Sequence, residues 1–363
     1  VWTRAQVLDA LGAEDGAIFC DVYDVSDAGN WDDPHEPGVV KNILNLPLAP
    51  EEFARQRGMD PQDLRQRLAA ARQRLLEMRA RRVPPARDEK VLCEWNGLMI
   101  SSMARGGAIL DEPRFIEAAR RAAVAILDSQ YRGGRLHRAA RDGRSLTVAF
   151  LSDYACMIEG LLDLYEATFE RRWLDAAAEL NRAAIEHYAD RKQGGFHFTS
   201  HDHEKLIARA RDVRDGAVPA GNSVQLMNLL RLAVVTGDAE LRALADDSMR
   251  AFASDVRASP GSSERFLQAV EFASLGPVEI AIVGDPADPA TRSLLRVVHT
   301  TWLPNRVLLL LDPARPQDAA ESRLLDGRGL VEGRPAAYVC RGYACRRPVT
   351  DPAELRRELA SRP

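Results

Sequence analysis

The sequence predicts a mainly α protein, an (α/α) toroid of helical hairpins followed by a small α/β element. Three observations carry this. Paired helical patterns recur through the middle of the chain, and two double-glycine turns, Gly133-Gly134 and Gly194-Gly195, stand 61 residues apart. Hairpins repeated at such a period signal a repeat architecture. The first helix of each pair is richer in small and apolar residues, as a helix packed on all sides must be. After Leu275 the pattern changes to short apolar runs with helical segments between them.

Taken in order, Thr3 to Leu11 reads as a short helix with Thr3 as its N-cap. Asp27 to Gly38 is a loop by its turn residues, and Val39 to Leu46 reads as a strand or extended edge. Pro50 to Arg82 is helical in pattern, with Asp60-Pro61 a natural helix start. Its Arg- and Gln-rich surface reads as a solvated face, and Pro84-Pro85 ends it. Three hairpins follow: Glu94–Ile109 with Glu112–Gln130, Leu151–Phe169 with Arg171–Asp190, and Ala220–Val235 with Ala239–Ala253. Arg135 to Arg138 and Phe196 to Thr199 read as short strands after the glycine turns. Val278–Gly284, Asn305–Leu311 and Ala336–Cys340 read as strands, Thr291–Thr300 and Pro352–Leu359 as helices. Two strands flanking a helix suggest a βαβ crossover and a small parallel sheet. The expected organisation is therefore a toroid with an N-terminal loop region over 1–275 and an α/β element packed on it over 276–363.

The charge balance, 49 Lys+Arg against 53 Asp+Glu, gives a net charge of −4 over 363 residues, which argues against a nucleic-acid partner. No run approaches the ~20 apolar residues that span a bilayer, so no membrane partner is expected. The chain opens Val-Trp-Thr, without an initiator Met or a signal peptide, and reads as a fragment with its true start upstream. The five cysteines are scattered and odd in number, which fits a reducing cytoplasm, and the close pair Cys340/Cys345 reads as two thiols at a surface turn or as a redox or metal pair. Only four lysines, Lys41, Lys90, Lys192 and Lys205, stand among the basic residues. Against so strong a preference for Arg, a retained Lys suggests a need for an ammonium.

Three segments put polar groups at the ends of apolar inner helices, where a toroid rim would gather them into a site. In Arg87 to Ile100, Asp88, Lys90, Glu94, Trp95 and Asn96 precede or open a helix. An aromatic plate beside carboxylates and an amide suits a polyhydroxylated ring. The same residues also suit a capped helix with a core Trp and an Asp88–Lys90 ion pair. In Phe150 to Ala155, Asp153 and Tyr154 stand in the equivalent place, with Ser152 or Asp153 as a cap. In Arg214 to Val224, Asp215, Asn222 and Ser223 are polar, and the glycines admit a ligand close to the backbone or simply serve a loop and cap. Two carboxylates facing one cavity are the minimum for acid–base work on sugars. His201-x-His203 could chelate a metal but has no evident third ligand, so the histidines read as solvent-exposed loop residues and no metal is expected. No phosphate-binding glycine loop, G-x-S-x-G elbow or H-E-x-x-H helix is present, and no cofactor is expected.

The segments Asp88 to Ile100, Phe150 to Ala155, Asp215 to Ser223 and Tyr338 to Cys345, with Gly29-Asn-Trp31 and Lys41 to Leu44, resemble the spermatogenesis-associated protein 20-like family of thioredoxin-domain-containing proteins. The resemblance covers essentially the whole chain. It implies a thioredoxin-like domain followed by an (α/α)6 barrel, similar to N-acylglucosamine 2-epimerases and six-hairpin glycosidases. The thioredoxin part and the earliest hairpins lie outside this chain, so the expected toroid is incomplete and a thioredoxin-like domain is an expected partner. Fold alone does not fix activity. The first expectation is an isomerase-, epimerase- or glycosidase-like domain of carbohydrate metabolism, with a small sugar as substrate. Asp153 and Asp215 would be its acid and base, Trp95 its stacking plate, and Asp88, Lys90, Asn96, Tyr154 and Asn222 its substrate ligands. The alternative is a non-catalytic scaffold that presents a surface to the thioredoxin-like domain.

Overall fold

The structure, a computed structural model, describes residues 1–142, 144–204 and 207–360, so Lys205 lies outside the described residues. It forms two compact units, Val1–Asp88 and Glu89–Pro363.

The first unit contains α1 (Arg4–Leu11), α2 (Ala13–Val22), β1 (Trp31–Asp32), β2 (Val40–Lys41), α3 (Pro50–Arg57) and α4 (Pro61–Ala80). Thr3 caps α1 in a capping box with Gln6. The Asp60 carboxylate accepts from the backbone N–H groups of Gln62 and Asp63, each at 2.8 Å, and Pro61 opens α4. Trp2, Val7, Phe19, Leu64, Leu68 and Leu75 form the unit's core. Where the sequence suggests a strand over Val39–Leu46, the strand is Val40–Lys41 alone, followed by an isolated antiparallel bridge from Asn42 to Trp2, and the buried Asn42 side-chain amide donates to the carbonyls of Trp2 and Ser26. Lys41 uses its ammonium to close the intervening loop, donating to Asp33 at 2.6 Å and also to Glu36.

The second unit opens with β3 (Val91–Leu92), α5 (Cys93–Leu110), α6 (Pro113–Gln130), β4 (Tyr131–Arg132), β5 (Arg135–Arg141) and β6 (Arg144–Val148). It continues with α7 (Leu151–Thr168), α8 (Arg171–Tyr188), α9 (Gly221–Thr236), α10 (Ala239–Ala258) and α11 (Glu264–Leu275). The last part is β7 (Val278–Val283), α12 (Pro289–Thr300), β8 (Arg306–Leu311), β9 (Ala336–Arg341), β10 (Ala344–Cys345) and α13 (Pro352–Ala360). Helices α5, α7, α9 and α11 pack side by side in that order, and α6, α8 and α10 back onto the first three. This is the arc of an incomplete (α/α) toroid. Every residue of α7 from Leu151 to Tyr165 is buried, whereas α8 and α10 each bury one stripe. That difference is the inner and outer distinction the sequence predicts.

The fourth inner helix, α11, is not marked in the sequence reading. Phe266, Ala269 and Phe272 are its buried stripe at helical spacing. Inner helices meet backbone to backbone. A Cβ at Gly97 would lie 2.5 Å from the Cys156 carbonyl carbon, and one at Gly160 would lie 2.6 Å from the Gly97 oxygen. Gly221 faces the Ser152 backbone in the same way, at 3.0 Å. The side of Gly221 that a Cβ would occupy is therefore taken up by the start of a neighbouring helix, while Gly216 has nothing within 4 Å of that position.

The C-terminal strands form one sheet in the order β10-β9-β7-β8. β7 and β8 are parallel across α12, as expected, but β9 runs antiparallel to β7, so the sheet is mixed. The β9–β10 hairpin places Cys340 opposite Cys345, and the two form a disulfide with their Cα atoms 3.9 Å apart, in place of two separate thiols. Cys20, Cys93 and Cys156 are buried and free. One hydrophobic core runs from the hairpins into this sheet, through Leu164, Leu229, Phe272, Ile280 and Leu308. Among the described residues no helix is long and apolar enough to cross a membrane.

Candidate functional site

Four inner-helix N-termini gather at one end of the second unit, and two carboxylates tie them together in pairs. Asp153 sits in the first turn of α7 and is fully buried. One of its oxygens accepts from the Phe150 N–H at 2.8 Å and the other from the Glu94 N–H at the start of α5 at 3.1 Å. Asp215 does the same for the next pair. Its oxygens accept from Ala220 N–H, just before α9, and from Arg265 N–H in the first turn of α11, each at 2.9 Å. Orphan N–H groups at helix starts favour such carboxylate partners.

Beside these termini opens a cleft of about 350 Å³, lined by Glu94, Arg138, Ser152, Phe198, Asp212 and Arg214 among others. Glu94 is 6% exposed and points its carboxylate at Arg138. The Arg138 guanidinium, supplied by β5, lies 3.4 Å from both Glu94 and Asp153. It also covers the Phe150 ring at 5.2 Å, and Phe150 stacks on Phe198 with centroids 4.5 Å apart. Phe198 is 39% exposed and gives the cleft an aromatic wall.

Burial raises the Asp153 carboxyl to about 6, with the Glu94 charge adding to it. The Phe150 N–H and Arg138 pull the other way and lose. The folded state thus holds this proton more tightly than the unfolded chain, whose carboxyl titrates near 3.8. Acidification from pH 7 therefore stabilises the fold through this group, by about 3 kcal/mol when complete. The unfolding midpoint of the wild type is expected to rise relative to that of Asp153→Asn between pH 7 and about pH 5. A constant difference between the two proteins would contradict this.

The other residues singled out in the sequence fall as follows. Tyr154 is fully buried, its hydroxyl accepting from Leu136 N–H at 2.8 Å and its ring set against Tyr188. Asn222 is buried and pins the Gly194-Gly195 turn, bonding both the N–H and the carbonyl of Phe196. Asn96 donates to the Leu92 carbonyl at 2.8 Å, in the opening turn of its own helix. Trp95 is 59% exposed and is not among the cleft-lining residues. Lys90 is exposed, and Asp88 is exposed in the first unit. No local sequence signal marks Arg138 or Phe198 as site residues. Each comes from the short extended segment after a glycine turn, and only tertiary packing brings them to the helix ends.

A second polar cluster lies deeper, around a cavity of about 60 Å³. Glu159, Asp163 and Glu166 share one face of α7 at spacings of four and three residues. Arg231 of α9 reaches Asp163 at 2.8 Å and Glu166 at 3.0 Å. Ser101 of α5 donates to Asp163 at 2.5 Å, Arg265 of α11 pairs with Glu159, and Arg306 of β8 lies 3.6 Å from Glu166. Burial alone would raise Asp163, but the Arg231 charge, with help from Arg105 and Ser101, holds it below the usual range. Glu159 is pushed up by burial, which Arg265 only partly offsets.

No family model matches the chain. Along 99% of its length it is 33% identical to spermatogenesis-associated protein 20 of Homo sapiens and 31% identical to the Mus musculus protein. It spans 49% and 48% of those relatives, about half their length. Among solved structures, cellobiose 2-epimerase from Spirochaeta thermophila shares 18% identity and a TM-score of 0.40 over 46% of this chain and 44% of its own.

Proposed function

We propose that this relative of spermatogenesis-associated protein 20 binds a sugar in the cleft at its inner-helix N-termini and performs acid–base chemistry there, of the isomerase, epimerase or glycosidase type. One observation carries the reading. The carboxylates of Glu94 and Asp153 meet a single guanidinium, Arg138, in the wall of a cleft that also exposes Phe198. A ring C–H face stacks on Phe198, while Glu94, Arg138 and Arg214 offer hydrogen bonds to hydroxyls. Glu94 is the proton-transferring group because it lines the cleft, whereas both oxygens of Asp153 and of Asp215 hold helix starts. Asp153 acts through Arg138 and Glu94 as a positioning residue. It shares the Arg138 guanidinium with Glu94 and so helps fix where that guanidinium, and the Glu94 carboxylate paired with it, are held.

The test is a thermal-shift screen with monosaccharides, disaccharides, N-acetylhexosamines and uronic acids. A ligand at 100 times its dissociation constant adds about 2.7 kcal/mol, which raises the melting temperature visibly. One sugar class is expected to do so, and Phe198→Ala is expected to lose the shift. With that sugar as substrate, Glu94→Gln should bind it but turn it over about 10²–10⁴-fold more slowly. A folded wild type that no sugar stabilises would overturn the proposal.

A second reading, an interaction module rather than an enzyme, is supported by the start of α5. Trp95 and Met99 stand four residues apart on α5, Val91 precedes them in β3, and all three are exposed. Solvent-facing aromatic and Met side chains in register suit a partner helix or domain better than water.

A further inference from the structure

The loop that follows Phe198 brings together three side chains that neither the cleft nor the ion cluster uses. His187 ends α8, and His201 and Asp202 lie in the loop after Thr199. One ligand-capable atom from each lies within 4.8 Å of those of the other two. We propose that His187, His201 and Asp202 form a binding site for a divalent transition metal, Zn²⁺ by its donor set, with water completing the coordination.

The local geometry holds the three groups in place. The backbone N–H of His201 donates to the His187 carbonyl at 2.9 Å, which fixes the loop on the helix end. The two imidazoles lie nearly parallel, at 14°, with centroids 5.3 Å apart. Nδ1 of His201 lies 3.4 Å from the same carbonyl. A proton on Nδ1 shared with a carbonyl leaves Nε2 as the unprotonated, ligating nitrogen, the usual way a protein sets the tautomer of a metal-binding imidazole. Nδ1 of His187 is buried and makes no hydrogen bond. A buried ring nitrogen without a partner calls for an explanation, and a cation beside it is one.

Asp202 is gripped by Arg135, at 2.6 and 3.2 Å, so its carboxylate is already oriented, and each oxygen keeps a further lone pair. Bonds of about 2.0–2.2 Å to nitrogen and oxygen in a tetrahedron require ligand atoms about 3.4 Å apart. The cluster therefore contracts by ~1 Å or slightly more on binding, within the reach of exposed loop side chains. Two imidazoles and one carboxylate suit Zn²⁺ and not Mg²⁺ or Ca²⁺, which prefer oxygen-only sets. The sequence pairs His201 with His203, two residues on. The structure instead pairs His201 with His187, while the ring of His203 lies against Phe150 at 5.9 Å.

The site does not depend on the sugar reading. Its physical consequence is to fasten the segment that carries Phe198 to the end of α8. The experiment strips the whole chain with chelator, then adds Zn²⁺ or Mg²⁺ and measures bound metal by equilibrium dialysis and stability by melting. One equivalent of Zn²⁺ should bind, with a melting-temperature rise of several degrees at saturation, and Mg²⁺ should have no effect. Both responses should vanish in His201→Ala, whose exposed position leaves folding intact, and persist in His203→Ala. Absence of Zn²⁺ binding, or equal binding by wild type and His201→Ala, would overturn the site.

Discussion

Arg231→Met is expected to destabilise the second unit by about 3–5 kcal/mol. Arg231 is 9% exposed and lies between Asp163 and Glu166, both from one face of α7. Removing it leaves the buried Asp163 and the half-buried Glu166 with Ser101, Arg105 and the more distant Arg306 as their remaining partners. The cost comes from stranding those charges, not from the net worth of the ion pair, which desolvation largely cancels. Two consequences separate this account from simple loss of packing. Without Arg231, burial is the dominant influence on Asp163 and pushes its carboxyl up from the unfolded value, so the deficit should shrink as pH falls from 7 toward about 5. Adding Asp163→Leu should recover part of the loss, because an apolar replacement of both partners is often nearly neutral. Denaturant unfolding at the two pH values measures both. A loss below ~1 kcal/mol would mean that the cluster is solvated.

Gly97→Ala is expected to cost about 3 kcal/mol or more, although alanine is the better helix former by about 1 kcal/mol. The added methyl would lie 2.5–2.7 Å from the Cys156 carbonyl carbon and oxygen and the Met157 nitrogen. All three are backbone atoms of α7, so no side-chain rotation relieves the clash, and α5 and α7 would have to move apart. Gly106 is the control within the same helix. Nothing lies within 4 Å of a Cβ built there, so Gly106→Ala should stabilise by up to ~1 kcal/mol. Similar behaviour of the two variants would contradict the close packing of α5 on α7.

The contrast between these glycines shows where sequence reasoning stops. Both sit in one helix and look alike in the sequence. What distinguishes them is the residue opposite, which α7 supplies some sixty positions later. The same holds for the two rim carboxylates. The first-turn position of Asp153 marks it as a capping group, but its bond to Glu94 N–H depends on the register of two helices. The position of Asp215 before α9 is legible, but its bond to Arg265 is not, because the two residues come from segments whose register is set only by the packing of α11 on α9.

The paired helices, their inner and outer faces, the β7–α12–β8 crossover and the polar residues at inner-helix starts are legible along the chain. These follow from local physics: caps and prolines act within one turn, and burial leaves its period on each helix. Which polar groups meet is a matter of three-dimensional packing. It brought Arg138 and Phe198 to the cleft, set Arg231 among the α7 carboxylates, paired His187 with His201 and placed β9 antiparallel to β7. A charge or an imidazole acts on whatever lies within a few ångströms of it, and across separate elements that neighbour is fixed by packing register, which leaves no period along the chain.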